Sequence, residues 1–220
     1  MKWLALFPLL SLPLGSFAET LHFDKGRPGA LVTGWKIAMT HTGGEPRWEI
    51  VHDDTAPSPP NALGQLSHDP TAGRFPLAIW ERGILKDGEV SVAFRNVAGE
   101  IDQAAGLVWR YQDSNNYYIV RANALEDNVV LYKVAGGVRE SIAPKGLPSR
   151  AYGVKHAIPR GQWNRIRVSF EGPTFTVYLN DERLFEVEDQ TFLAAGKTGL
   201  WTKADSVTYF DDFTVRERSK

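Results

Sequence analysis

Apolar and polar residues alternate with a period of two along much of this chain, the spacing that gives a β-strand one buried and one solvated face. In Glu89 to Asn96, Val90, Val92 and Phe94 share one side, and Glu89, Ser91, Ala93 and Arg95 the other. In Gln162 to Glu171, Ile166, Val168 and Phe170 point inward while Arg165, Arg167, Ser169 and Glu171 face solvent. Phe175, Val177 and Leu179 repeat the pattern, and Asn180-Asp181-Glu182 turns the chain into Leu184 to Glu188. Shorter strands are predicted at Leu21 to Asp24, Gly34 to Met39, Trp48 to His52, Ala62 to Ser67, Leu77 to Trp80, Gly137 to Ile142, Thr198 to Thr202 and Ser206 to Val215. Asp189 to Ala195 is the one stretch compatible with a helical turn. Many short strands with turn signals every ~8–12 residues predict an all-β sandwich or barrel.

The segment Ala104 to Val134 holds three strand patterns joined by two polar turns, Asp113-Ser114-Asn115-Asn116 and Glu126-Asp127-Asn128. A hairpin centred near Ser114 sets Val108 opposite Val120, Gly106 opposite Ala122 and Arg110 opposite Tyr118. Its other face then carries Trp109, Tyr111, Tyr117, Arg121 and Asn123. Flat rings beside hydrogen-bonding side chains suit a sugar, which has apolar C–H faces and polar edges. The competing expectation is that these aromatics are core residues with satisfied polar tips. A slip of one residue would exchange the faces of one strand.

The 220 residues, 43% of them hydrophobic, predict one large domain over Glu19 to Lys220. A net charge of −1 and the lack of any basic run argue against a nucleic-acid partner. Met1 to Ala18 reads as a signal peptide: Lys2, then the apolar Trp3 to Leu14, then Ser16-Phe17-Ala18 as the cleavage context. Cleavage is expected after Ala18, giving a secreted or periplasmic protein with no membrane span in the mature chain. There is no cysteine, hence no disulfide. The Ala143 to Pro159 loop is long for a compact domain, which marks mobility or function.

The segments AGLVWRYQDSNNYYIVRAN (Ala105–Asn123), NVVLYKV (Asn128–Val134), WNRIRVSFEG (Trp163–Gly172), FTVYLNDERLFEV (Phe175–Val187) and GKTGLWTKADSVTYFDDFTV (Gly196–Val215) resemble the concanavalin A-like lectin/glucanase superfamily. The nearest members are the 3-keto-disaccharide hydrolase domain and the laminin G-like jelly rolls. The resemblance spans about Phe75 to Val215. It implies a two-sheet antiparallel jelly-roll sandwich that binds a saccharide on its concave face. A glycoside-processing hydrolase is the alternative it allows, and a protein-adhesion module with a protein partner is a third.

Retaining glucanases of this fold carry E-x-D-x-E on one strand, which brings two carboxylates about 5–5.5 Å apart. This chain lacks the run; Glu186 and Glu188 come nearest, flanking an inward Val187, and are expected to be solvated. A hydrolase would therefore draw on loop carboxylates such as Asp113, Glu126 or Asp205. In the resemblance Trp201 lies near the concave rim as a second sugar platform, with Lys203 and Asp205 as grips for hydroxyls. The alternative for Asp205 is a turn residue capping backbone donors. Asp24 and Asp211 are candidate ligands for a structural calcium ion, with Asp212 pointing to the opposite face. His52-Asp53-Asp54 and His68-Asp69 match no metal-site spacing and are expected in solvent.

Overall fold

The computed structural model describes residues 17–218. The strands are β1 (Ala18–Leu21), β2 (Trp35–Thr40), β3 (Trp48–His52), β4 (Asn61–Gln65), β5 (Phe75–Leu85) and β6 (Gly88–Ala98). They continue as β7 (Ala104–Asp113), β8 (Asn116–Asn123), β9 (Asn128–Ala135), β10 (Val138–Ser141) and β11 (Val154–Lys155). The chain then forms β12 (Asn164–Glu171), β13 (Thr174–Leu179), β14 (Glu182–Glu188), β15 (Gly196–Trp201) and β16 (Val207–Glu217). No helix occurs among the described residues, and none is therefore long and apolar enough to cross a membrane. At Asp189 the carboxylate accepts the Thr191 N–H and the Tyr118 hydroxyl, fixing an irregular turn where a helical one was compatible.

Two antiparallel sheets of eight strands pack face to face, as a jelly-roll sandwich does. The first runs β14-β13-β12-β6-β16-β4-β3, with β1 beside β16. The second runs β10-β9-β8-β7-β15-β5-β2, with β11 beside β9. The core between them takes the predicted inward residues Val90, Val92, Phe94, Ile166, Val168, Phe170, Phe175, Val177 and Leu179. The predicted signal segment lies outside the described residues except for Phe17 and Ala18. Ala18 pairs with Arg216, and the Phe17 carbonyl accepts the Glu217 N–H.

The β7–β8 register differs by one residue from the expected hairpin. Leu107 faces Val120, Val108 faces Ile119 and Trp109 faces Tyr118. A bulge follows: Arg110 adopts φ 49°, and pairing resumes at Asp113–Asn116. A bulge sets two successive residues on one side. Trp109 and Arg110 thus both point between the sheets, and Tyr111 is returned to the outer face.

The second sheet is buried on both sides. Its outer face carries a second apolar cluster that includes Phe75, Leu77, Val108, Tyr111, Tyr117, Ile119, Val130, Tyr132 and Trp201. Two-sided burial explains why β9 reads as a nearly continuous apolar run. The 143–159 loop covers part of this face. Tyr152 meets Tyr132 hydroxyl to hydroxyl at 2.5 Å, and Gly153 (φ 60°) lies so close that a Cβ would sit 2.2 Å from the Val129 carbonyl oxygen.

Candidate functional site

The outer face of the second sheet grades from an aromatic floor to a polar end. Strand alternation lines up Tyr117, Ile119, Arg121 and Asn123 on β8 beside Asn128, Val130 and Tyr132 on β9. Phe75 and Trp201 lie 5.3 Å apart in the floor, and Tyr111 and Tyr117 lie 5.9 Å apart. The Tyr117 hydroxyl shares a 2.6 Å hydrogen bond with Thr40 Oγ1. Burial pushes the Tyr117 and Tyr132 phenols well above their ordinary range, so both remain neutral.

At the polar end Arg121, fully buried, donates to both carboxylate oxygens of Glu126 (2.8 and 3.4 Å) and to Asn128 Oδ1 (2.7 Å). Asn123 Nδ2 donates to Asp102 (2.6 Å) and Glu126 (3.1 Å), and Lys203 donates to the other Asp102 oxygen. Burial alone would raise the Glu126 carboxyl. The hydrogen bonds from Arg121 and Asn128 and the charges of Arg121 and Lys203 outweigh it and hold the group below the ordinary carboxylate range. Glu126 is thus a fixed, ionised acceptor, and 39% of its side chain is open to solvent.

Beside the aromatic floor, at Phe75, a cleft of about 720 Å³ opens, within the size range of small-molecule sites. His41, Gly73, Phe75, Asn115, Gly137, Arg139 and Lys203 are among its lining residues. Arg139 lies over the floor, its guanidinium carbon 4.5 Å from the Tyr132 ring centroid and 4.8 Å from that of Phe75.

The residues singled out from sequence therefore divide. Tyr111, Tyr117, Arg121, Asn123 and Trp201 come together on this face, with the rings as a buried floor. Trp109 does not join them: it lies between the sheets, stacked on Tyr118 at 5.5 Å and on Phe170 at 6.0 Å. Asp205 is occupied by the backbone N–H groups of Glu100, Ile101 and Asp102. Asp113 is likewise spent on the Asn115 N–H and Asn116 Nδ2 within the hairpin turn. Arg139 and His41 were not anticipated. The first was within reach, because a two-residue turn at Gly136-Gly137 sets Arg139 opposite Val134, on the face of Tyr132.

A second polar cluster lies on the first sheet. The expectation that Asp211 and Asp212 point apart is corrected by the backbone: Asp212 has φ 50° in a β16 bulge, and both carboxylates meet Ser58. His22, Asp211 and Asp212 converge within 4.8 Å. His22 and Arg165 pair with Asp212, whereas Asp211 has no cationic partner among the described residues. Burial, with the charges of Asp212 and Asp24, raises the Asp211 carboxyl to about 6 despite two backbone N–H donors. Buried Asp24 Oδ1 and Asn61 Oδ1 also lack partners. This oxygen-rich, under-neutralised set fits a hard cation such as calcium. Of the loop pairs expected in solvent, Asp53 is instead buried against Arg95 at 2.5 Å.

These features define a concanavalin A-like jelly roll with a polar, aromatic-floored cleft on one sheet. The chain belongs to the family of 3-keto-alpha-glucoside-1,2-lyase-like domains, whose model matches residues 20–216. The match starts well before Phe75, where the resemblance in sequence fades. No curated protein matches the chain. Among solved structures it is similar to the carbohydrate binding module CBM66 from Bacillus subtilis, at 20% identity and TM-score 0.59 over 83% of this chain and 95% of that one. It also resembles a galectin-like protein of unknown function from Bacillus subtilis (16%, TM-score 0.52, 82% and 88% covered). A third is domain 4 of the extracellular arabinanase AbnA from Geobacillus stearothermophilus, solved with arabinotriose (13%, TM-score 0.50, 83% and 82% covered).

Proposed function

We propose that this protein is an exported carbohydrate-binding domain that holds a saccharide in the cleft over the second sheet. The observation that carries the reading is the cleft itself: about 720 Å³, floored by an aromatic ring and walled by the hydrogen-bonding side chains of His41, Asn115, Arg139 and Lys203. The similar module CBM66 and the arabinotriose-bound arabinanase domain support it. Asp24 and Asp211, with Asn61, would hold a calcium ion that braces β16 against the first strands.

The test is the melting temperature of the mature domain across an oligosaccharide panel with calcium present. A ligand at 100 times its Kd adds about 2.7 kcal/mol, roughly 5–10 °C for a domain of this size. A selective shift supports the reading; a flat profile across a broad panel overturns it.

Family membership favours one alternative, elimination on a 3-keto glucoside. A ketone acidifies the neighbouring C–H, and a base that removes that proton drives out the glycosidic oxygen. Among the loop carboxylates Asp113, Glu126 and Asp205, Glu126 combines solvent access with a place on this face. Turnover of 3-keto disaccharides that is lost in Glu126→Gln would establish this reading, and a folded domain without turnover would remove it.

A further inference from the structure

We infer that the saccharide bound in this cleft is acidic, and that Arg139 receives its carboxylate. The inference rests on the saccharide reading and deepens it. The fully buried arginines of this protein each donate several hydrogen bonds, although Arg121 Nε is left without a partner. Arg74 donates to three carbonyl oxygens and Ser67 Oγ; Arg110 to three carbonyls and Asp87; Arg121 to Glu126 and Asn128. Arg139 differs. Its guanidinium is held over three rings, Tyr132, Phe75 and Trp201, at 4.5, 4.8 and 5.8 Å. Yet it makes no hydrogen bond and no ion pair with any described residue, and Nη1 is buried without a partner. A guanidinium offers five donors in a rigid plane. The rings hold the group at the wall of the cleft, and no acceptor among the described residues meets it.

The rest of the lining does not oppose this assignment. His41 sits between the Gly73 and Gly137 carbonyl oxygens, with one ring nitrogen 2.8 Å from each. Lys203 adds a second fixed cation, although Asp102 neutralises it from behind. Among the described residues no aspartate or glutamate lines the cleft. A neutral sugar hydroxyl would meet one or two of the Arg139 donors. A carboxylate matches the planar fork with two parallel bonds and supplies the missing charge. The chemistry points to a hexuronate residue, in a cleft large enough for a sugar ring.

The test is calorimetric titration of the mature domain with an oligouronate, with the same oligosaccharide after reduction of its carboxyls, and with acetate and inorganic phosphate. The expected result is at least tenfold tighter binding of the oligouronate than of its reduced form, weakening as salt is raised. Arg139→Gln should abolish that ratio. Arg139→Lys keeps the charge and the aliphatic stem, and should retain part of the preference while its melting curve controls for folding. Equal or tighter binding of the reduced sugar overturns the acidic assignment and leaves the saccharide reading standing. Binding of acetate or phosphate as tight as that of the oligouronate overturns sugar recognition at Arg139. No binding of either sugar, alongside a flat neutral panel, removes both readings.

Discussion

Replacing Trp109 tests the register on which the site depends. The ring is fully buried, stacked on Tyr118 and Phe170 and edge-on to Phe175 at 5.4 Å. Trp109→Ala opens a cavity where both sheets meet, and truncation of a buried Trp costs about 3–5 kcal/mol. At roughly 2–4 °C per kcal/mol for a domain of this size, the midpoint should fall by about 10 °C. Trp109→Phe should be far milder. The indole Nε1 is buried without a partner, and an unsatisfied buried donor costs about 1–3 kcal/mol, so its removal offsets much of the lost ring area. A net loss of about 1 kcal/mol is expected. The assay is thermal unfolding followed by ellipticity, because seven tryptophans make fluorescence ambiguous, with saccharide binding measured on the folded variants. Had Trp109 faced outward, Trp109→Ala would spare stability and remove binding. A midpoint within 2 °C of wild type would refute the register, the bulge at Arg110 and the placing of Tyr111.

Three further outcomes are expected. Asp205→Ala leaves three backbone N–H groups without their carboxylate and should cost about 2–3 kcal/mol at pH 7 by urea unfolding. Burial would raise this carboxyl, but those donors outweigh it and depress it. Its contribution is therefore complete above the unfolded value of about 4, and the gap between variant and wild type should close as pH falls further. Calcium at 100 times its Kd should raise the melting point by roughly 5–10 °C, and Asp211→Asn should remove the calcium-dependent part, as chelator does for the wild type. Gly153→Ala places a Cβ against the Val129 carbonyl at positive φ, and should lift the 143–159 loop and speed its cleavage in limited proteolysis.

Where the chain alternates cleanly, as in β12 and β13, its faces were legible because each strand has one partly solvated side; β6 alternates in sequence too, although Ser91 and Ala93 on its second face are buried. The side chains of β8 were also placed correctly by parity. Those of β7 were not, since the strand is apolar on both faces and its bulge forms at an arginine, with no glycine to announce it. Tyr111 reached the expected face through that bulge and not through the expected register. Asp212 hides its kink in the same way. Of the early strands, β3 lies at the expected Trp48–His52 and β4 close to the expected Ala62 to Ser67, whereas β1 lies at Ala18–Leu21, before the expected Leu21 to Asp24, and draws its order from β16. The Arg139 stack depends on Phe75 and Trp201 from distant strands, which no local spacing encodes.

The strand order also dictates when the protein can fold. β15 lies between β5 and β7, and β16 lies between β6 and β4, so the middle of each sheet is supplied by the last two strands to be synthesised. Until they emerge, β5 and β7 have a gap between them and β6 lacks its longest neighbour. Both sheets then close through long-range pairings, the slow kind. Neither sheet can be completed before β15 and β16 are available. An unclosed chain is what a narrow translocation channel accepts, so under the export proposed above this design would need less help to stay threadable than one whose N-terminal half folds by itself.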